Sequence, residues 1–423
     1  MQYDWRCRPT NYCALILKTV NDHRTERWLL PDGVNELMPE DAWRVETLRR
    51  LIMDSCHSWG YELVMPPLIE YLDSLLTGTG ETLDLHTFKF IDQHNGRTLG
   101  VRADMTPQVA RIDAHTLHRE QPNRLFYTGS VLRARTDGAG GSRTPVQFGA
   151  EIFGHSGPES DIEIVQLMID NVMLSGLSAA DLLLDVGHVA VFRGLIKNTD
   201  LNSDEQERFF QALLRGSAPE VDELLESTQV SAKVQEQIRA LSLLSGESSA
   251  VLGRARDILS GSELDVLSAL EKLESVIHAI QFTYPELRVH VDLAELRGYR
   301  YHTGMLFALY DSAGVELARG GRYDDIGEAF GRARPATGFS GDLVKLAMKA
   351  TANSKDVSMQ QDGIWIDTVM TADLWQKIRA LRQAGERVVC KLEGTTMDAR
   401  DCRCDRQLMQ QGTNWVVEPL LNE

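Results

Sequence analysis

The stretch LFYTGSVLRARTDGAGGSRTPVQFGAEIFG, residues 125–154, holds two short β-type runs on either side of an arginine- and glycine-rich loop, Arg133–Arg143. Aromatic and apolar residues fill the runs and turn formers fill the loop, so the spacing predicts an antiparallel hairpin. Upstream lie two more short β-type segments, HTFKFIDQ and RTLGVR, and then a helix start near Pro107. Before them, YELVMPPLIEY is extended but carries Pro66 and Pro67, which suit an edge or interface strand and not a central one. From Asp41 to Trp59, the residues Trp43, Leu48, Leu51, Ile52, Cys56 and Trp59 recur at three- and four-residue steps, predicting an amphipathic helix that Gly60 ends. A second helix is expected from Ser160 to about Leu174, followed by the strand DLLLDVGHV.

Outward from this core the pattern changes. Residues 191–280 carry almost no strand signal and predict a helical insertion. Strands return at LRVHVDL, YHTGMLFALY and VELARGGRYDD. The polar run TANSKDVSMQQDG reads as a linker over 350–362. Residues 363–423 then alternate strand, helix, strand, a second helix and strand, as a small α/β domain. Residues 1–26 are neither periodic nor a signal peptide, and read as an extension that is disordered or an artefact of the assumed translation start. The fold expected is α+β, an antiparallel sheet core over 27–349 flanked by helices.

Composition narrows the function. With 423 residues, 43% hydrophobic and 25% charged, the chain has enough material for a core and for two or three domains. A net charge of −17 disfavours a non-specific nucleic-acid binder, because an acidic surface repels phosphate backbones. No run approaches the ~18 apolar residues of a membrane span. The six cysteines form no C-x-x-C pair, and Cys402 with Cys404 falls short of four zinc ligands. They read as reduced thiols of a cytoplasmic protein, and neither metal nor cofactor is expected.

Candidate chemistry concentrates in four segments. Arg133 to Arg143 and Arg319-Gly-Gly-Arg322 place guanidinium groups, which grip carboxylate or phosphate through paired hydrogen bonds, beside glycines that admit a close ligand. Arg133, Arg319 and Arg322 are therefore candidate anion contacts. LRGYRYHTG, residues 296–304, adds aromatic rings next to Arg297, and Arg102-Ala-Asp104-Met-Thr106 sets a carboxylate and a hydroxyl ahead of a helix. Taken singly, Asp104 is equally a helix N-cap, Glu151 and Gln147 strand-surface residues, and Arg297-Gly298 a turn.

In this order and spacing, the segments over roughly residues 30–346 resemble the class II aminoacyl-tRNA synthetase core, and histidyl-tRNA synthetase in particular. GYELVMPPLIEY is similar to the first class signature, with Pro67 as the dimer-interface proline, and the 125–154 stretch to the second. LRGYRYHTG and ARGGRYD resemble the histidine-specific motifs, and PATGFSGDLVKL stands where the third signature belongs. The resemblance implies a histidine pocket. Asp104, Thr106 and Gln147 would meet the ligand's ammonium, Glu151 its imidazole side, and Arg297 its carboxyl end. Tyr301 and His302 would line the ring, His302 replacing a family tyrosine.

The nucleotide side departs from the family. Arg135 stands where an ATP-contacting glutamate belongs, and Asp342-Leu-Val-Lys345 replaces Gly-Leu-Glu-Arg. Lysine lacks the planar fork of arginine, and each lost electrostatic contact costs ~3–4 kcal/mol of transition-state stabilisation. A histidine pocket without an ATP site resembles the synthetase-like regulatory subunits of ATP phosphoribosyltransferase, as do RWLLPDGVNELMPEDA, RADMTPQVARIDAH and the short C-terminal region. That resemblance implies no catalytic residue and no tRNA. It implies activation of a short-form catalytic subunit in the first step of histidine biosynthesis, feedback inhibition by L-histidine, self-dimerisation and a hetero-octamer. The alternative is a functional histidyl-tRNA synthetase with a diverged third signature.

Overall fold

The computed structural model describes residues 29–78, 81–136, 141–197, 199–296, 301–349 and 362–420. The extension over 1–26, the linker except Asp362, the loop tip at 137–140 and Arg297 lie outside them.

Helix α1 spans Pro39–Ser58. Proline in its first turn needs no N–H partner, and Glu40 and Asp41 sit where the helix dipole favours negative charge. Val45, Leu48, Ile52 and Cys56 form its buried stripe, while Trp43 stays 45% exposed. Helix α2, Thr106–Arg111, begins at the residues expected and continues as a π-helical turn over Ile112–Leu117. Helix α3 covers Pro158–Met173 and buries Ile164, Val165, Leu167, Met168, Ile169 and Val172 completely. Each such side chain contributes about 1.5–3 kcal/mol on leaving water.

Nine strands make the main sheet: β1 Glu62–Leu63, β2 Asn123–Ser130, β3 Val146–Phe153, β4 Leu182–His188, β5 Ser245–Glu247, β6 Arg288–Asp292, β7 Met305–Asp311, β8 Glu316–Arg322 and β9 Ala336–Asp342. Their spatial order is β1-β2-β3-β9-β8-β7-β4-β6-β5. The centre is antiparallel as expected, but β1 runs parallel to β2, and β4 parallel to β6. Helix α3 lies across one face, against β3, β7, β8 and β9, and the opposite face carries the candidate pocket. Pro66 and Pro67 fall between β1 and a second, three-stranded sheet of Ile69–Tyr71, Phe88–Ile91 and Thr98–Val101, so neither proline interrupts a ladder.

The segment read as helical contains α4, Val189–Ile196, four intervening helices from Ser203 to Ile258, and α5, Leu264–Thr283. It also contains β5, which sequence periodicity missed: three residues are too short for an alternation to register, and their pairing with β6 is a tertiary contact. C-terminal to α6, Leu343–Met348, lies a four-stranded sheet ordered Val388–Cys390, Ile364–Ile366, Arg406–Gln411, Asn414–Pro419. Helix Ala372–Gln383 packs Leu374 and Ile378 against Ile364, Ile366 and Leu408. The second helix expected here does not form. Residues 391–405 turn around buried Cys402 and Cys404, and the run RQLMQQ pairs with the last strand as a hairpin.

Candidate functional site

Gln147 and Glu151 lie four residues apart on β3, so the two-residue period of a strand puts both on the face away from α3. Beside Glu151 on β9 is Gly338, where a Cβ would stand 1.5 Å from the Glu151 carboxylate. Gly149 similarly clears the Tyr127 hydroxyl, which a Cβ there would meet at 2.5 Å. Two missing side chains thus open a recess in an otherwise close-packed sheet.

The recess is filled with ordered polar groups. Glu151 Oε1 accepts from Thr106 Oγ1 at 3.0 Å and from Tyr127 OH at 2.9 Å, and Oε2 accepts from Tyr323 OH. Asp104 Oδ1 accepts from the Thr106 N–H at 3.0 Å and from Gln147 Nε2 at 2.8 Å. Gln147 Oε1 in turn accepts the Met105 N–H at 2.9 Å, which fixes the orientation of its amide. Asp104 is therefore both a turn-capping residue and a member of the site. Glu151 is 1% exposed, and burial pushes its carboxyl up to about 8 despite three hydroxyl donors that favour the charge. The neighbouring Asp104 charge adds to the rise at Glu151.

Three ring side chains close one wall. Tyr301 stacks on Tyr323 with centroids 5.2 Å apart at 26°, and His302 meets Tyr301 edge-on at 5.2 Å. His302 Nδ1 lies 3.3 Å from the Arg322 carbonyl, and its packed surroundings hold the imidazole down to about 4, so the ring is neutral. The structure thus gathers Asp104, Thr106, Gln147, Glu151, Tyr301 and His302. Tyr127 and Tyr323, which hold the Glu151 carboxylate, were not singled out from sequence, though both lie inside the quoted motifs.

The three candidate anion arginines fare differently. Arg322 is a correction: it is 6% exposed, on the α3 face, and is consumed by the fold. Its guanidinium pairs with Asp161 at 3.0 Å and Asp324 at 3.2 Å, and donates to the His155 and Gly157 carbonyls and to Ser160 Oγ. Arg319 is on the recess side of β8, largely exposed, 3.6 Å from Glu316. Arg133 anchors the start of its loop through a backbone bond to the Arg143 carbonyl at 2.8 Å, and its charge acts on Asp342. Asp342 ends β9 and caps α6, accepting the Val344 and Lys345 N–H groups at 3.0 and 3.4 Å. Burial raises its pKa. Lys345 is exposed. No group of His, Cys, Asp or Glu among the described residues is arranged to hold a metal, and Cys402 and Cys404 are free thiols.

Comparison with known proteins gives the family. A histidyl-tRNA synthetase family model matches residues 33–346, and a model of the ATP phosphoribosyltransferase subunit HisZ C-terminal domain matches residues 361–418. The chain is 48% identical over 398 residues to the ATP phosphoribosyltransferase regulatory subunit of Thioalkalivibrio sulfidiphilus, covering 94% of this chain and 99% of that one. It is 49% identical to the subunit of the same description from Alkalilimnicola ehrlichii, with 94% and 98% covered. Among solved structures it is similar to an ATP phosphoribosyltransferase regulatory subunit/histidyl-tRNA synthetase from Bacillus halodurans, with TM-score 0.77, 26% identity, and 91% and 98% covered. A histidyl-tRNA synthetase from Nostoc, 18% identical with TM-score 0.71 and covering 90% and 91%, shares the fold.

Proposed function

The chain belongs to the family of ATP phosphoribosyltransferase regulatory subunits, and from that premise we propose that it activates a short-form catalytic subunit and relays feedback inhibition by L-histidine. The observation that carries the reading is the recess network, in which Gln147 reaches Asp104 at 2.8 Å and Thr106 reaches Glu151 at 3.0 Å. Carboxylates suit an ammonium, hydroxyls and a tunable carboxyl suit an imidazole, and Arg297, by the family resemblance, would take the ligand carboxylate. Such a buried polar set rejects analogues that leave its groups unpaired, by about four orders of magnitude.

Aminoacylation is not part of this reading. Asp342 places a carboxylate at the end of β9 and engages the first N–H groups of α6, Arg135 reverses a charge, and Lys345 points to solvent. The subunit would work in the cytoplasm, as a dimer within a hetero-octamer. Exposed Met65, Leu68, Ile69, Phe90 and Ile91 around the second sheet support pairing there, since apolar side chains clustered on a surface favour a partner. The described helices include none long and apolar enough to cross a membrane.

The test is a phosphoribosyltransferase assay of the short catalytic subunit, with and without this chain, at zero and saturating histidine. Stimulation that histidine reverses is the expected result. Absence of stimulation, together with histidine-dependent exchange of pyrophosphate into ATP, would move the protein to the synthetases.

A further inference from the structure

At the far end of the main sheet, three side chains from three neighbouring strands stand in line: Asp185 on β4, His290 on β6 and Ser245 on β5. Asp185 is opposite Ala308 of β7, and Ala308 is opposite Arg319 of β8, so cross-strand partners carry the recess face out to this edge. His290 is in turn opposite Asp185. Ser245 is opposite Asp292, which lies two residues beyond His290 on the same face of β6.

The distances give the trio an order. His290 Nδ1 lies 2.7 Å from Asp185 Oδ1, and a carboxylate only accepts, so the neutral ring carries its proton on Nδ1 and keeps a lone pair on Nε2. Ser245 Oγ lies 3.4 Å from that Nε2, a reach that such pairs shorten on binding. A hydroxyl facing the open nitrogen of an imidazole, whose other nitrogen a carboxylate holds, is the arrangement that activates a serine. It is recognised by geometry and not by order along the chain. Burial raises the Asp185 pKa, and the His290 hydrogen bond is the largest influence against that rise. Ser245 is exposed while His290 and Asp185 are partly buried, so the hydroxyl is open to a ligand and its base is shielded. Strand β5 is the outermost strand. The Leu293 N–H donates to the Leu244 carbonyl one residue before Ser245, so by alternation the Ser245 N–H points out from the edge, where it can meet a developing oxyanion. Asp292 Oδ2, 3.3 Å from the same hydroxyl, competes with Nε2 for its proton.

We propose that Ser245 is an activated nucleophile that takes acyl groups from neutral esters, with His290 as general base and Asp185 as the residue that positions His290. Ser245 Oγ bonds to the ester carbonyl carbon as its proton passes to His290 Nε2. The bond from that carbon to the leaving oxygen then breaks, the proton goes to the departing oxygen, and an acyl-serine remains. Water attacks the acyl carbon, giving a proton to the same Nε2; the acid leaves and the proton restores the hydroxyl. Asp292, Glu247 and Glu295 place negative charge around the trio, which disfavours anionic esters. The site is apart from the recess and does not rest on histidine binding.

The experiment treats the full chain, without histidine, with a fluorophosphonate probe and separately with p-nitrophenyl acetate. One label per chain is expected, mapped by mass spectrometry to Ser245, together with turnover of the ester. Ser245 is exposed on an edge strand, so Ser245→Ala leaves the fold intact. It should abolish the label and lower turnover by about a hundredfold, the scale of general-base catalysis, while Ser245→Cys, which keeps a nucleophile, still takes up acetyl. Asp185→Asn should lower kcat with KM unchanged, a split that partial unfolding does not produce. Asp292→Asn, which leaves Nε2 as the better acceptor, should speed labelling. Labels on other residues but not on Ser245, or equal turnover by Ser245→Ala, overturn the proposal. Neither reagent involves histidine or a catalytic subunit, so that failure would leave the regulatory reading untouched.

Discussion

Gly338 and Asp342, four residues apart on β9, face the same side of the sheet and have opposite contents. At Gly338 a missing side chain lets the Glu151 carboxylate lie over the strand, and the pocket exists because of it. At Asp342 a side chain is present, and its carboxylate turns back to cap α6. One end keeps room for a ligand and the other gives that room to the fold. A regulatory subunit built on a synthetase framework needs only the first.

This contrast can be attacked from either end. The largest effect is expected from Gly338→Ala, whose new Cβ collides with a carboxylate already held by three hydroxyls. A loss of about 3 kcal/mol in a denaturation midpoint series and complete loss of histidine binding by calorimetry should accompany it. Unchanged histidine affinity would show that the recess is not the site.

Glu151→Gln sharpens the same end. The carboxyl sits at about 8 in the fold against 4.5 ordinarily, so on raising the pH the unfolded chain gives up its proton first. The stability contributed by the neutral, buried acid is complete below about pH 4.5 and is lost as pH rises through about 8. Wild type should therefore weaken between these values by up to about 1.4 kcal/mol per pH unit relative to Glu151→Gln. Parallel pH–stability curves for the two proteins would contradict the burial argument.

At the other end the effect is small. Asp342→Ala removes an N-cap and should cost ~1 kcal/mol, and Asp342→Gly, the residue of the synthetase signature, only a few tenths. Both should leave histidine binding as it was, and neither should restore pyrophosphate exchange alone, since Arg135 and Lys345 remain.

Much of this was legible in the sequence because it rests on local patterns. The stripe of α1, the hairpin pair β2 and β3, and α3 are each written in periodicity within one element. The positions of Asp104, Gln147 and Glu151 came from the resemblance to the histidyl-tRNA synthetases, since each taken singly reads as a helix cap or a strand-surface residue. Strand parity could also have separated Arg319 from Arg322: residues three apart on one strand face opposite sides, so both could not serve one ligand. The sequence does not say which face is which, and Arg322 became an anion candidate for that reason. Tyr127 and Tyr323 were hidden differently. A buried tyrosine looks like core until its hydroxyl partner, brought from another strand, is known. β5 depends on its pairing with β6, distant in the chain, and Arg406–Gln411 pairs with distant Ile364 and Trp365 as well as with the adjacent last strand, contacts that outweighed the local signal for a helix.

The Gln147 amide is pinned at both ends, its oxygen by the Met105 N–H and its nitrogen by Asp104. The groups of the network hold one another within the fold, so a ligand entering it has little ordering to impose there. A ligand with equal affinity for two global states shifts nothing, so contacts with a frame that is the same in both carry no signal. The signal must therefore start where the ligand meets parts of the chain that the network does not hold. The recess decides what binds, and its surroundings decide what binding says.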